Sequence, residues 1–280
     1  MLKVKITDCP RDAIQGLKGH ISVNEKAKYI QLALDSGMFH SVDFGSFVSH
    51  KAVPQMADTA EVLAQLKVPD NETKLLAIIA NERGASEAAT FPIVDVLGFP
   101  FSISEEFQKR NAGTGREEAL EKVERIYKIA NDNNKVLRVY ISMAFGNPYD
   151  ESWNTEIVTY WVEKLIKIGI TEIALSDTVG VAKGKDIESL FETLIKQFPV
   201  VTFSAHFHAL PGRWKEKVSV AYDAGCRHFD GAMNGFGGCP MADDDLVGNI
   251  PTEGLLAWKG EEQNRINELV LAFQELIKHG

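Results

Sequence analysis

The sequence has few cysteines and no pattern that would pair them. Cys9, Cys226 and Cys239 are the only three in 280 residues, an odd number without the regular spacing of a disulfide framework. This excludes the small disulfide-rich secreted folds. A reducing compartment is the simpler interpretation.

Long apolar runs are also lacking. No stretch of about 18 apolar residues occurs, so we expect no membrane-spanning helix and no membrane partner. The chain enters a strand-like segment at residues 3–7, with no signal peptide or basic amphipathic presequence before it. We therefore expect a cytoplasmic protein.

The chain has fewer positively charged than negatively charged residues. Lys and Arg total 30 against 39 for Asp and Glu, which gives a net charge of -9. A nucleic-acid partner would need a basic face, so we expect none. An anionic small substrate remains compatible, provided that a few local Lys and Arg side chains meet its charge.

The length allows two ordinary domains or one large barrel. The chain has 280 residues, and a (β/α)₈ barrel commonly needs about 250. Hydrophobic residues make up 45% and charged residues 25%, as in a globular chain with a substantial core.

Strand and helix patterns alternate close to eight times along the chain. The predicted strands are residues 4–7, 38–44, 74–79, 92–99, 136–143, 172–176, 200–206 and 227–230. Alternation without a domain-sized linker favours a (β/α)₈ TIM barrel, a single domain over residues 1–280 with a last helix at about 261–280 as a C-terminal extension. A doubly wound open sheet is the alternative, made less favourable because no Gly-x-Gly-x-x-Gly follows the first strand.

Three of the units share one pattern, in which the helix ends at a glycine and the next strand ends at an aspartate. The glycines are Gly37, Gly169 and Gly225, and the aspartates are Asp43, Asp177 and Asp230. Each aspartate alone is as compatible with a helix cap or strand terminator as with catalysis.

Polar residues follow the strands that a barrel would bring together. The residues that work in such a barrel sit at the C-terminal ends of strands, and closure places strands one, seven and eight side by side. Asp12 follows strand one, His206 and His208 end strand seven on one side of it, and Asn249 lies after strand eight. Nitrogen and oxygen donors without thiolate favour Mg²⁺ or Mn²⁺ over structural zinc. Each pair alone could be scaffolding, and their joint placement favours a metal site.

The same residues resemble the 3-hydroxy-3-methylglutaryl-CoA lyase family over nearly the whole chain. Two broad motifs and several more specific runs carry the likeness. They are Cys9-Pro10-Arg11-Asp12, Ser46-Phe47-Val48-Ser49 with Val53-Pro54-Gln55-Met56, Ser176-Asp177-Thr178-Val179-Gly180, His206-Phe207-His208, Gly237-Gly238-Cys239-Pro240 and Gly248-Asn249 with Thr252-Glu253.

The resemblance implies a role for each matching residue. Asp12, His206, His208 and Asn249 would bind the divalent cation. Arg11 would polarise the thioester carbonyl and stabilise the enolate, and Cys239 would donate a proton to it. His206 and Asp43 are both candidates for the base that takes the hydroxyl proton, and Asp177 matches a site aspartate.

The family activity is retro-aldol cleavage of 3-hydroxy-3-methylglutaryl-CoA, or a close 3-hydroxyacyl-CoA, to acetyl-CoA and acetoacetate, as in leucine degradation. Gln15 and Ser46 would line the acyl pocket, and Lys18 is either a CoA phosphate contact or a solvated lysine. A homodimer is expected from the resemblance. A Claisen-type synthase acting on a 2-oxo acid and a non-catalytic metal-binding barrel are the alternatives.

Several positions depart from the family pattern. Ala13 stands where the family usually has Gly, and Ala209 where it has an acid after His-x-His. Asp43 stands for Glu, and Met143 and Asn147 stand for residues that are often Cys. The Cys239–Asn249 loop is one residue longer and carries Asp243, Asp244 and Asp245. These departures do not change the expected reaction class. They concern which acyl group the substrate carries.

Overall fold

Eight parallel strands close into a barrel in the computed structural model, which describes residues 3–238 and 247–280. The strands are β1 (Lys5–Asp8), β2 (Ser41–Ser46), β3 (Lys74–Ile78), β4 (Val94–Ser102), β5 (Val136–Ser142), β6 (Glu172–Asp177), β7 (Thr202–Ala209) and β8 (His228–Gly231). They pair in chain order, and β1 pairs with β8 to close the circle. The predicted single-domain (β/α)₈ barrel is confirmed. An open sheet is excluded because each of these eight strands has a partner on both sides.

Helices follow the strands and pack around them. They are α1 (Pro10–Ile14), α2 (Val23–Asp35), α3 (Thr59–Gln65), α4 (Glu82–Ala89), α5 (Glu105–Ala112), α6 (Arg116–Asp132), α7 (Thr155–Ile168), α8 (Gly184–Gln197), α9 (Trp214–Asp223), α10 (Thr252–Lys259) and α11 (Gln263–Leu276). Short 3₁₀ turns occupy Pro54–Met56, Met233–Gly235 and Ile277–His279. Most of the α-helices lie within a few residues of the positions predicted from the sequence. The sequence pattern missed α1, which is one turn long, and α5, where only Phe107 and Gln108 are buried.

Local capping explains where the well-predicted helices begin and end. Ser22 and Glu25 form a reciprocal capping box at the start of α2, with Glu25 Oε2 accepting from the Ser22 amide at 2.8 Å. Gly169 ends α7 at φ 114°, and a Cβ there would lie 2.5 Å from the Tyr127 hydroxyl oxygen. Glycine is therefore required both by the left-handed backbone and by the close approach.

The prediction that the second strand ends at Asp43 is wrong, because β2 continues to Ser46. Its pairing with β3 shifts register between Asp43 and Gly45. A Cβ on Gly45 would lie 2.7 Å from the Thr59 methyl carbon, so glycine lets α3 approach the strand closely here. The Thr59 hydroxyl accepts from the Ser46 amide at 3.1 Å, which holds the extended end of β2 in place.

A ninth strand of two residues completes the top of the barrel. β9 (Gly248–Asn249) pairs antiparallel with the end of β7, with Asn249 opposite His208 and Gly248 opposite Ala209. So short a strand has no hydrophobic period that the sequence could reveal. Its pairing places Asn249 beside the histidines.

The C-terminal helix α11 packs on α2. The ring of Phe273 meets the ring of Tyr29 edge-on with 5.5 Å between ring centroids, and the ring of Phe236 with 5.7 Å between centroids.

Residues 1, 2 and 239–246 lie outside the described ones, so the domain bounds of 1–280 stay a prediction. None of the helices among the described residues is both long and apolar enough to span a bilayer.

Candidate metal-binding active site

The turn after β1 places a largely buried arginine between two carboxylates. Pro10 starts α1 and puts Arg11 and Asp12 in its first turn. Arg11 donates to Asp43 from Nη2 at 2.5 Å and from Nε at 3.1 Å, and to Asp12 Oδ1 from Nη1 at 3.1 Å. Burial opposes its charge, but the two carboxylates outweigh this and raise the pKa of Arg11. The guanidinium therefore stays charged in the site.

Gln15 links the same two residues. Its Nε2 donates to Asp12 Oδ1 at 2.8 Å, and its Oε1 accepts from Arg11 Nη1 at 3.1 Å. Burial raises the pKa of Asp12, but Arg11, the histidines and Asn249 together lower it below its usual value. Asp12 is thus held ionised, as a cation ligand must be.

The two histidines of β7 face the same space as Asp12. One donor atom from each of Asp12, His206 and His208 lies within 4.8 Å of the other two. The spacing of two residues points both rings to one side of the strand, as predicted. Their rings meet edge-on with 5.3 Å between centroids. Three donors from α1 and β7 therefore converge.

His208 has the bonding expected of a metal ligand. Its Nδ1 lies 2.9 Å from the backbone oxygen of Asp177, so this nitrogen carries the proton. Its Nε2 is buried and makes no hydrogen bond within the described residues. Burial, with His206 nearby, lowers the pKa of His208 to about 4, so the ring is neutral. A divalent cation would give this lone pair the partner that it lacks.

Asn249 closes the site from β9. Its Nδ2 donates to Asp12 Oδ2 at 2.6 Å and to the backbone oxygen of Phe236 at 2.8 Å. A Cβ at Gly237 would lie 2.6 Å from the Asp12 backbone oxygen and 2.9 Å from Asn249 Nδ2. The glycine loop therefore packs directly on two of the predicted ligands.

His206 is oriented by Asp230, which the sequence placed at a strand end without a specific role, and by Arg138, which no sequence motif includes. The Nδ1 of His206 lies 3.2 Å from Asp230 Oδ2, while Asp230 Oδ1 accepts from Arg138 Nη2 at 2.7 Å. Arg138 also donates to the Ser204 hydroxyl at 2.5 Å and to the Thr7 hydroxyl at 3.1 Å. The available signal was an arginine inside an apolar strand, since such a charge must find a partner across the barrel.

Asp177 is directed away from the donors. Its Oδ2 accepts from Lys217 at 2.5 Å and its Oδ1 from the Ala182 amide at 3.1 Å. Lys217 also donates to the backbone oxygens of His208 and Gly180, each at 2.9 Å. Lys217 lies outside the sequence motifs named above. This lysine ties the end of β7 to the end of β6, next to Ala209, where the family's acid is missing.

The other predicted site residues lie further out or outside the described part of the chain. Ser46 is buried, and its hydroxyl accepts from the Val48 amide at 3.3 Å. Lys18 is exposed on the loop after α1. The predicted acid Cys239, together with Asp243, Asp244 and Asp245, lies outside the described residues. The substrate and acid roles of these residues stay predictions.

Comparison with known proteins agrees with this geometry. The model of the family described as HMGL-like matches residues 3–276. The chain belongs to the HMGL-like family. Membership makes the chain a carbon–carbon lyase of a metal-dependent family, and the cluster of Asp12, His206 and His208 can hold the ion.

Relatives of this family match along most of their length. The chain is 33% identical to the hydroxymethylglutaryl-CoA lyase of Pseudomonas mevalonii over 258 residues, covering 91% of this chain and 84% of that protein. It is 31% identical over 255 residues to a Pseudomonas aeruginosa protein named 3-hydroxy-3-isohexenylglutaryl-CoA/hydroxy-methylglutaryl-CoA lyase, covering 91% and 84%. The crystal structure of HMG-CoA lyase from Brucella melitensis has a TM-score of 0.88 at 28% identity, covering 98% of this chain and 99% of that one.

Proposed function

We propose that this HMGL-like chain cleaves 3-hydroxy-3-methylglutaryl-CoA, or a close 3-hydroxyacyl-CoA, into acetyl-CoA and a 3-oxo acid, which is acetoacetate for the methyl compound. The observation that carries the proposal is His208 Nε2, a buried lone pair without a partner among the described residues, beside Asp12, His206 and the charged Arg11. Lyases that act on such thioesters are among the relatives reported above.

Mg²⁺ or Mn²⁺ is the cation that suits this donor set. Asp12, His206, His208 and Asn249 would hold it, with no thiolate among them. Asn249 would have to offer its amide oxygen in place of the nitrogen that now donates to Asp12. Once bound, the cation would lower the pKa of the substrate's tertiary hydroxyl and fix its orientation.

The base that accepts the hydroxyl proton is better assigned to Asp43 than to His206. A ring nitrogen that binds a cation has no lone pair left for a proton, and the other nitrogen of His206 faces Asp230. Asp43 is buried and held by Arg11, so it lies beside the charge that forms during cleavage. Its carboxylate can take the proton as the carbon–carbon bond breaks.

Arg11 stabilises the thioester enolate that leaves. Its side chain is largely buried and its guanidinium is already oriented by Asp43 and Asp12, so it need not reorganise as negative charge develops on the carbonyl oxygen. Protonation of the enolate carbon then releases acetyl-CoA. We assign that proton to the Cys239 thiol, on the basis of the family motif alone.

The other parts of the proposal concern the environment of the enzyme. Gln15 and Ser46 would line the acyl end of the substrate, and Lys18 would meet the CoA phosphates. A homodimer and a cytoplasmic location are proposed as well, the location on the basis of the unpaired cysteines Cys9 and Cys226. Size-exclusion chromatography with light scattering would test the dimer.

A product assay tests the proposed reaction. Purified protein with Mg²⁺ or Mn²⁺ should release acetyl-CoA and acetoacetate in equal amounts from 3-hydroxy-3-methylglutaryl-CoA, should stop with EDTA, and should recover when metal is restored. A panel of branched 3-hydroxyacyl-CoA thioesters would define the acyl group. The proposal fails if neither product forms while the Pseudomonas mevalonii enzyme is active in parallel. Consumption of acetyl-CoA with 2-oxo acids would instead indicate a Claisen-type synthase.

A further inference from the structure

Two buried polar atoms at this site lack hydrogen-bond partners among the described residues. One is His208 Nε2, which a cation would satisfy, and the other is the hydroxyl oxygen of Tyr140. Tyr140 is 7% exposed. The fold does not require this hydroxyl, because an unpaired buried hydroxyl destabilises a protein and phenylalanine would fill the same volume.

Tyr140 lies on the barrel face of β5, two residues beyond Arg138. The Arg138 guanidinium stacks on its ring, with 5.0 Å from Cζ to the ring centroid. On another side, its ring meets the ring of His206 at 87°, with 5.6 Å between centroids. Tyr140 therefore packs between the residue that anchors Asp230 and a predicted metal ligand.

The hydroxyl of Tyr140 is protonated at neutral pH, because a tyrosine phenol has a usual pKa of about 10. It is therefore a hydrogen-bond donor without an acceptor among the described residues. The substrate is the component of the reaction that would bring acceptor oxygens to this position.

We propose that Tyr140 is a catalytic residue whose hydroxyl donates a hydrogen bond to an oxygen at the acyl end of the substrate. The inference rests on the proposed lyase function and adds a contact that the sequence motifs do not include. The acceptor is either the substrate's free carboxylate or the C3 oxygen that loses its proton during cleavage. Both are anionic oxygens, and a neutral phenol is a suitable donor to either.

The buried tyrosine Tyr29 provides a matched control. Its hydroxyl donates to Asp8 Oδ2 at 2.7 Å, so its hydrogen bond is made within the protein. Removing that hydroxyl should destabilise the fold and leave the reaction unaffected. Removing the hydroxyl of Tyr140 should slow the reaction without destabilising the fold.

The experiment compares Tyr140→Phe and Tyr29→Phe with the wild type in three measurements. These are kcat and KM for 3-hydroxy-3-methylglutaryl-CoA, Mn²⁺ affinity by EPR titration, and Tm without substrate. For Tyr140→Phe we expect kcat/KM to fall about 10- to 100-fold, the usual effect of losing a hydrogen bond to a charged group. Its Mn²⁺ affinity should stay unchanged and its Tm should be unchanged or higher. A loss mainly in KM identifies the carboxylate as acceptor, and a loss mainly in kcat identifies the C3 oxygen.

Two results would overturn the inference. Unchanged kcat and KM in Tyr140→Phe would mean that the hydroxyl meets only buried solvent. A parallel loss of Mn²⁺ affinity would mean that Tyr140 acts by positioning His206 and not through the substrate. If the wild type itself releases no product, the proposed function fails first, so the two failures can be told apart.

Discussion

Lys217 Nζ lies 2.5 Å from Asp177 Oδ2, and the same ammonium group donates to the backbone oxygen of His208 at 2.9 Å. Asp177 in turn accepts from the Nδ1 of His208 through its backbone oxygen. The lysine side chain is 14% exposed and the aspartate side chain 1%. An ion pair on α9 and β6 therefore holds the end of β7, which carries the two histidines of the candidate metal site.

Replacing this lysine should destabilise the protein. Lys217→Met leaves the Asp177 carboxylate buried without its cation, and breaking a buried pair from one side costs about 3–5 kcal/mol. Urea unfolding would measure the loss. Lys128→Met is the control, because Lys128 pairs with Glu124 at 3.5 Å on the surface and should change stability little. Equal effects of the two substitutions would contradict the prediction.

Arg11 should matter for the chemical step more than for cation binding. Because Arg11 is proposed to stabilise the enolate, Arg11→Met should lower kcat by about 10²- to 10³-fold. Arg11→Lys keeps the charge but loses the paired contact with Asp43, so its loss should be smaller. Steady-state kinetics on the metal-saturated enzyme would decide. If the Arg11→Met variant had the same kcat as the wild type, Arg11 would have no role in the chemical step.

Asp230 should support the cation through His206. Carboxylates that orient a ligating histidine typically contribute about 10- to 100-fold to metal affinity, so Asp230→Asn should weaken Mn²⁺ binding by that amount. The same substitution leaves Arg138 buried without its carboxylate and should lower stability. The double variant Arg138→Met/Asp230→Asn should regain stability but not Mn²⁺ affinity. Recovery of both would show that the carboxylate acts only through Arg138.

Asp8 gives stability a pH dependence. Burial raises the pKa of Asp8 from 3.8 to about 7, although Tyr29 and Thr252 donate to it. Between about pH 4 and pH 7 the folded protein therefore holds a proton that the unfolded chain has lost. This contribution to stability is present below pH 4 and is lost as the pH rises, by roughly 1.4 kcal/mol per unit.

Asp8→Asn should therefore become more stable relative to the wild type as pH rises through that window. Urea unfolding midpoints of the two proteins at several pH values would show this change as a change in the difference between them. The titration of other buried groups, such as His208, contributes equally to both proteins and cancels in that difference. Glu124→Gln, at an exposed carboxylate on α6, should leave the wild-type pH profile unchanged. A constant difference between Asp8→Asn and wild type would contradict the assigned pKa.

Much of the barrel could be predicted because its elements carry local signals. The capping box at Ser22, the glycine after α7 and the apolar period of the long helices all act within a few residues. The errors lie where a tertiary contact overrides those signals. β2 continues past Asp43 because Thr59 packs against Gly45, and β9 exists only because the end of β7 is there to pair with it.

The predicted metal donors were identified by residue type and motif, and their neighbours were not. Histidines two apart on a strand share a face whatever surrounds them, so His206 and His208 could be paired from the sequence. Tertiary contacts between residues that are distant in the chain define the roles of Arg138, Lys217 and Tyr140 and the partner of Asp230. Neither a period nor a motif reports such contacts.

The sequence by itself determined the barrel class, the family and the residue types that can bind a cation, because periodicity, caps and motifs are local properties of the chain. Only the tertiary structure decided which partner each buried polar group has. It assigned Asp177 to Lys217 and Asp230 to His206, and it left His208 Nε2 and the Tyr140 hydroxyl without partners among the described residues. The physical reason is that buried polar groups must be satisfied in three dimensions. We therefore propose that the groups left unsatisfied by the fold lie where the cation and the substrate bind.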